Sequence, residues 1–313
     1  MSVSRPEPAR FGVHSIDHFA LEVPSLEEAE HFFTHFGLEV EPGGLEQLAM
    51  RTQADPHVWA RLHKGTHKRL AYLSLNCYAD DFDALRRQVA AHGGHAAPAG
   101  APYVDGVGYW FTDPDGNLLQ LKPGPRTMPE RGAGAAHLPA QPGTRGVLGR
   151  SQAAKVHPTR LSHVLLFTPD IDRSIAFFNE AIGLRLSDRS HGAVAFMHAP
   201  HGCDHHLVAF AASRSRGWHH SSWEVPGVND VGLGAEQMRG AGYAEGWGTG
   251  RHVLGSNYFH YVRDPWGSFA EYSAEMDYVP AHTSWPAGDY PPEDSLYLWG
   301  PEVPASFIHN SEG

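Results

Sequence analysis

The chain has 313 residues, with 24 Lys and Arg against 35 Asp and Glu, a formal charge of −11. That acidic balance excludes nucleic acid or an anionic membrane surface as the main partner, since phosphate binding wants a basic surface. An apolar share of 41% with 11% aromatic residues excludes wholesale disorder. No apolar run reaches the roughly 18 residues of a membrane span, and the N-terminus has no apolar signal-peptide core. Cys77 and Cys203, the two cysteines, build neither a disulfide framework nor a thiolate zinc site. The expectation is a cytoplasmic protein with reduced thiols. Histidine is abundant, 23 in all, so only histidines fixed by a pattern carry information.

In chain order, His18 to Val23 reads as a strand. A turn at Pro24 with Ser25 as helix cap follows, then an amphipathic helix through Phe32 and Phe33 that stops at Gly37. Leu70–Leu75 reads as a strand and Asp81–His92 as a helix. Asp113-Pro114-Asp115-Gly116 is a tight-turn signal; it predicts a hairpin whose second strand carries Gln120. Residues 129–157 are rich in Gly, Ala and Pro without periodicity and read as a linker.

The pattern then repeats. His163 opens a strand, Asp170 caps a helix through Phe177 and Phe178, and Gly183 ends it. Strands are expected at Ala193–Met197, His205–Phe210 and His219–Val225, and a helix from Val228 to Gly242. Asp264-Pro265-Trp266-Gly267 closes a hairpin whose second strand carries Glu271. The offset between the copies is 264 − 113 = 271 − 120 = 151. The aromatic and Pro-rich stretch after residue 280 is expected to pack down, and its aromatic content suggests a lid over the site.

The second copy sets His163, His220 and Glu271 on three strands. Two imidazoles and one carboxylate on one face of an open site form the ligand set of non-haem Fe(II) oxygenases; zinc would also accept it. The first copy has His18, a position near Tyr72, and Gln120 instead. An amide and a phenol make a poor site, so no metal is expected there.

Gly250-Arg251-His252, a seven-residue spacer, and His260-Tyr261-Val262-Arg263-Asp264-Pro265-Trp266-Gly267-Ser268-Phe269-Ala270-Glu271 resemble the C-terminal signature of the type I extradiol, catechol-cleaving dioxygenases. These belong to the vicinal oxygen chelate superfamily. The one departure is His260, where the family prefers an apolar residue. The resemblance covers roughly residues 10–280. It implies an α+β fold of two tandem vicinal-oxygen-chelate domains, each a pair of βαβββ modules curved around a central cavity. The expected division is a metal-free domain at 1–128, a linker at 129–157, a catalytic domain at 158–280 and a tail at 281–313.

The resemblance further implies His163, His220 and Glu271 as metal ligands. His220 is preferred to His219 for its distance before Glu224-Val225. The metal would be Fe(II), with Mn(II) as the alternative. His205 is the expected acid/base residue and its neighbour His206 the rival. Tyr261 would hydrogen-bond a metal-bound oxygen, and His252 would hold the substrate hydroxyl or a proton. The implied reaction opens a catechol ring beside the diol with O2, in aromatic catabolism. Partners would be a small aromatic diol, O2 and further copies of the chain, with a tetramer favoured. Competing readings are a 2-oxo-acid dioxygenase, a glyoxalase-type isomerase and a metal-free binding protein. Drawing all three ligands from one copy disfavours the isomerase, and the intact triad disfavours the binder. No cationic partner for a substrate carboxylate is evident, which favours a neutral or hydrophobic catechol.

Overall fold

A computed structural model describes residues 11–129, 141–147, 149–281 and 283–312. Much of the expected linker, residues 130–140 and 148, lies outside them. Each copy folds as two βαβββ modules. In the first copy, strand Val13–Val23 and helix Leu26–Phe36 lead into strands Glu39–Gly44, Gln47–Thr52 and Asp55–Lys64. Strand Arg69–Cys77 and helix Ala79–Ala91 then lead into His95–Ala96, Tyr109–Thr112 and Leu118–Pro123. The second copy repeats this from strand Arg160–Thr168 and helix Ile171–Glu180, and again from strand Gly217–Glu224 and helix Val228–Gly240. The result is one eight-stranded and one nine-stranded mixed sheet, the ninth strand being Gly288–Asp289 from the tail.

Local chemistry explains the element ends. Ser25 Oγ accepts Glu28 N–H and Asp170 Oδ1 accepts Arg173 N–H, capping the first helix of each copy. At the two hairpins, Asp113 Oδ1 accepts the amides of Asp115 and Asn117, and Asp264 Oδ1 accepts those of Trp266 and Ser268. Gly116 and Gly267 complete these turns at φ 83° and 95°, a region costly for other residues.

Strand alternation places the site. Along the fully buried strand Arg160–Thr168, Val164 and Leu166 face the core, while His163, Leu165 and Phe167 line a cavity. The core runs continuously between the copies. Phe36 stacks on Tyr272 at 3.9 Å, and Phe19 meets Trp218 at 4.7 Å. The tail packs down. Phe307 is 8% exposed and joins Trp247, Phe259, Tyr261 and Phe269 in a second apolar cluster. No helix of the described residues is long and apolar enough to cross a membrane.

Candidate active site

The sheet register brings the three triad positions together. His163 lies opposite Ser222 on the strand Gly217–Glu224, and Ser222 lies beside Glu271 on Phe269–Ala274. His220, two residues before Ser222, points to the same face. His163 Nε2 is 3.2 Å from His220 Nε2 and 3.3 Å from Glu271 Oε2, and His220 Nε2 is 3.6 Å from that oxygen. All three residues are buried. They sit at the end of a cavity of about 350 Å³ whose apolar wall includes Leu165, Phe196, Leu296 and Phe307.

Hydrogen bonds set the tautomers. His219 Nε2–H donates to the Phe307 carbonyl, which only accepts, so His219 Nδ1 is an acceptor. His220 Nδ1–H therefore donates to His219 Nδ1 at 2.6 Å, leaving the His220 Nε2 lone pair facing inward. Ser162 donates to Asp204 at 3.2 Å and so takes His163 Nδ1–H at 3.3 Å, which leaves His163 Nε2 inward as well. Burial holds the His220 pKa well below its usual value, so this ring is neutral. Burial would push Glu271 upward, but its polar neighbours together, His163 first among them, outweigh it and hold the pKa below its usual value, so the carboxyl is ionised. Glu271 Oε1 takes an amide hydrogen from Asn257 at 3.1 Å. Glu271 Oε2 is buried with no hydrogen-bond donor among the described residues. Two inward lone pairs beside an unsatisfied carboxylate oxygen repel one another unless a cation lies among them. Spacings near 3 Å are those of donors around an ion held at about 2.1 Å. The set fits Fe(II), Mn(II) or Zn(II). Of the two neighbouring candidates, His220 faces this point and His219 stands behind it as the orienting group.

His252 and Tyr261 reach the same pocket. His252 Nδ1–H donates to the Leu296 carbonyl, so its Nε2 accepts the Tyr261 hydroxyl at 3.0 Å. Burial and the nearby Glu271 charge raise the Tyr261 pKa far above its usual value, so the phenol keeps its proton.

The expected acid/base position needs correction. The side chain on the cavity is His206, not His205. Spacing favours His205 only if a regular strand runs from it, as expected for His205–Phe210, yet the regular strand starts only at Val208. His205 is fully buried and turned away. Its Nε2–H donates to Asp188 Oδ2 at 2.7 Å, so its Nδ1 accepts His206 Nδ1–H at 3.1 Å. His206 is left with Nε2 as a lone-pair acceptor, and burial holds the ring neutral. Asp188 escaped the sequence reading, as did the two tail carbonyls and Asn257. Asp188 also receives Trp285 Nε1–H at 3.2 Å and the Gly288 amide at 2.8 Å. Asn257 alone had a sequence signal, lying inside the spacer of the closing signature.

Residues 160–272 match the family model described as Glyoxalase/Bleomycin resistance protein/Dioxygenase superfamily. The chain is 56% identical over 306 residues to Metapyrocatechase 2 of Cupriavidus necator, covering 97% of this chain and 94% of that protein. Among solved structures, an extradiol ring-cleaving dioxygenase from B. fuscum superposes with TM-score 0.75 at 18% identity, over 99% of this chain and 85% of that one. A Mn(II)-bound glyoxalase from Novosphingobium aromaticivorans also gives 0.75, at 24% identity, over 96% and 95%.

Proposed function

The chain belongs to the extradiol ring-cleaving branch of the glyoxalase/bleomycin resistance/dioxygenase superfamily, and from that premise we propose how it works. It cleaves a catechol-type ring with O2 beside the vicinal diol, in aromatic compound catabolism. We assign His163, His220 and Glu271 to an Fe(II) ion. The observation that carries the assignment is the orphaned Glu271 Oε2 facing two inward imidazole lone pairs. When bound, the ion supplies Lewis acidity and a path for electrons between diol and O2.

The side chains supply binding and proton transfer. Tyr261 donates its own proton to His252 Nε2, so its oxygen can accept the hydrogen of a substrate hydroxyl. His206, whose ring centroid is 4.0 Å from that of His163, lines the same pocket and offers its Nε2 as a second acceptor and, once protonated, as an acid. Leu165, Phe196 and Phe307 cover the ring and exclude water. The described lining residues include no Lys or Arg, which supports a neutral catechol. The reading also takes residues 1–128 as a metal-free domain, and places the enzyme in the cytoplasm as a homo-oligomer, a tetramer by family resemblance.

The test is anaerobic reconstitution with Fe(II) or Mn(II), then oxygen uptake against substituted catechols. One O2 consumed per ring with Fe(II), and a yellow product, is the expected result. Uptake restored by Mn(II) alone overturns the iron assignment. One tightly held ion per chain with no uptake from any catechol overturns the substrate class and favours the 2-oxo-acid or isomerase chemistry.

A further inference from the structure

The first copy keeps a cavity of about 660 Å³ on the sheet face that corresponds to the catalytic pocket. Register makes the correspondence residue by residue. His18 lies opposite Ser74 and Ser74 beside Gln120, as His163 lies opposite Ser222 and Ser222 beside Glu271. Tyr72 therefore stands in the place of His220. Trp110, opposite Gln120, stands in the place of Tyr261, opposite Glu271.

The groups in these places are spent on one another. Asp17 takes His18 Nδ1–H at 2.6 Å, so His18 Nε2 accepts the Tyr72 hydroxyl at 2.9 Å. Gln120 accepts from Ser74 and donates to the Val107 carbonyl. The nearby carboxylates are engaged too. Asp17 also pairs with Lys122, Glu22 with Arg69 and Tyr103, and Asp105 with Trp110 Nε1–H. Arg61 differs from all of these. It is half-buried on the cavity wall, with no hydrogen bond or ion pair among the described residues.

A guanidinium offers five donors in a planar fork that fits a carboxylate bidentately. Around it stand Tyr72, Tyr103 and Trp110, with ring centroids 5.7 Å and 5.0 Å from Tyr72. Such walls suit a flat conjugated body. We propose that this cavity is a second small-molecule site, which binds a planar conjugated carboxylate through Arg61 and the aromatic wall. Two sources share that chemistry. One is an aromatic acid such as benzoate. The other is the ring-opened product itself, since O2 cleavage beside a diol turns one ring carbon into a carboxylate conjugated with the remaining chain. The product source rests on the proposed function; the aromatic-acid source does not.

The test is calorimetric titration of the full-length chain with benzoate and, separately, with the purified ring-opened product of catechol. Three variants accompany the wild type: R61M, R61K and H220A. The expected result is saturable binding of at least one probe that H220A keeps and R61M weakens at least tenfold. R61K, which preserves the charge, recovers part of it. Ring cleavage by R61M stays at the wild-type rate. Binding of benzoate alone or product alone assigns the source. No saturable binding of either probe overturns the proposal. So does binding that R61M and R61K leave unchanged, or binding lost in H220A instead, which would belong to the catalytic pocket. Should ring cleavage fail while benzoate binds as described, the proposed reaction falls and the second site stands.

Discussion

Four imidazoles of the pocket, His163, His206, His220 and His252, each have their outer nitrogen held, and this turns their Nε2 atoms inward. The holders are Ser162, His205, His219 and the Leu296 carbonyl. Such outer contacts typically contribute 10–100-fold in metal affinity or activity. His205→Phe keeps an aromatic ring against Phe196 and Trp285 but removes both hydrogen bonds. It is expected to lower kcat about 10–100-fold while the KM for catechol moves little. Steady-state kinetics decides this, and an unchanged kcat rejects the orienting role. Glu271→Gln removes the one anionic donor of the triad. Metal retained after reconstitution and desalting should fall roughly 100-fold or more, since even outer-contact losses reach that range; elemental analysis reads the outcome.

At the scale of elements, the tail acts as a wall and a clamp. The carbonyls of Leu296 and Phe307 fix His252 and His219, and the tail meets Asp188, which anchors His205. Three of the four holders thus depend on residues beyond 280. Ending the chain at residue 280 is expected to raise the substrate Kd and lower kcat together, each at least tenfold. A truncated chain that binds catechol as tightly as the full one refutes the tail's part in the site. Phe307→Ala is the gentler probe. It empties a buried aromatic position, with an expected cost of about 3 kcal/mol, visible as a lower Tm in thermal unfolding.

Over the whole molecule, the same economy of buried imidazole sets the response to acid. Burial depresses the pKa of His198 and His260 to about 4, against about 6.5 in the unfolded chain. Between those values the unfolded state binds more protons than the folded one, so stability rises with pH across that window and is lost as pH falls from 6.5 toward 4. With partial exposure discounted, each lowers stability at pH 5 by on the order of 1 kcal/mol relative to neutral pH. Tm measured from pH 7.5 down to 4.5 should fall steadily below about 6.5, and a flat profile contradicts the assignment. Metal binding adds to folded-state stability by mass action. Chelation is therefore expected to lower Tm at neutral pH, with recovery on adding Fe(II).

The chain order itself determines the duplication and the paired Asp-Pro-x-Gly hairpins, and it singles out His163, His220 and Glu271 as candidate ligands. These are matters of short range: a capping side chain, a turn that needs a glycine, and the two-residue alternation of a strand. Once two hairpins have the same turn and offset, Gln120 and Glu271 must occupy equivalent places. Tertiary structure decides what lies beyond that reach. His206 takes the cavity and His205 the interior because neither residue belongs to a regular strand, so alternation has no hold on them. Asp188, far from any motif, becomes an anchor only because the tail and the 205–206 segment converge on it. The two tail carbonyls have no side-chain signature at all; where a backbone oxygen lands depends on packing across some 40 to 90 residues of chain.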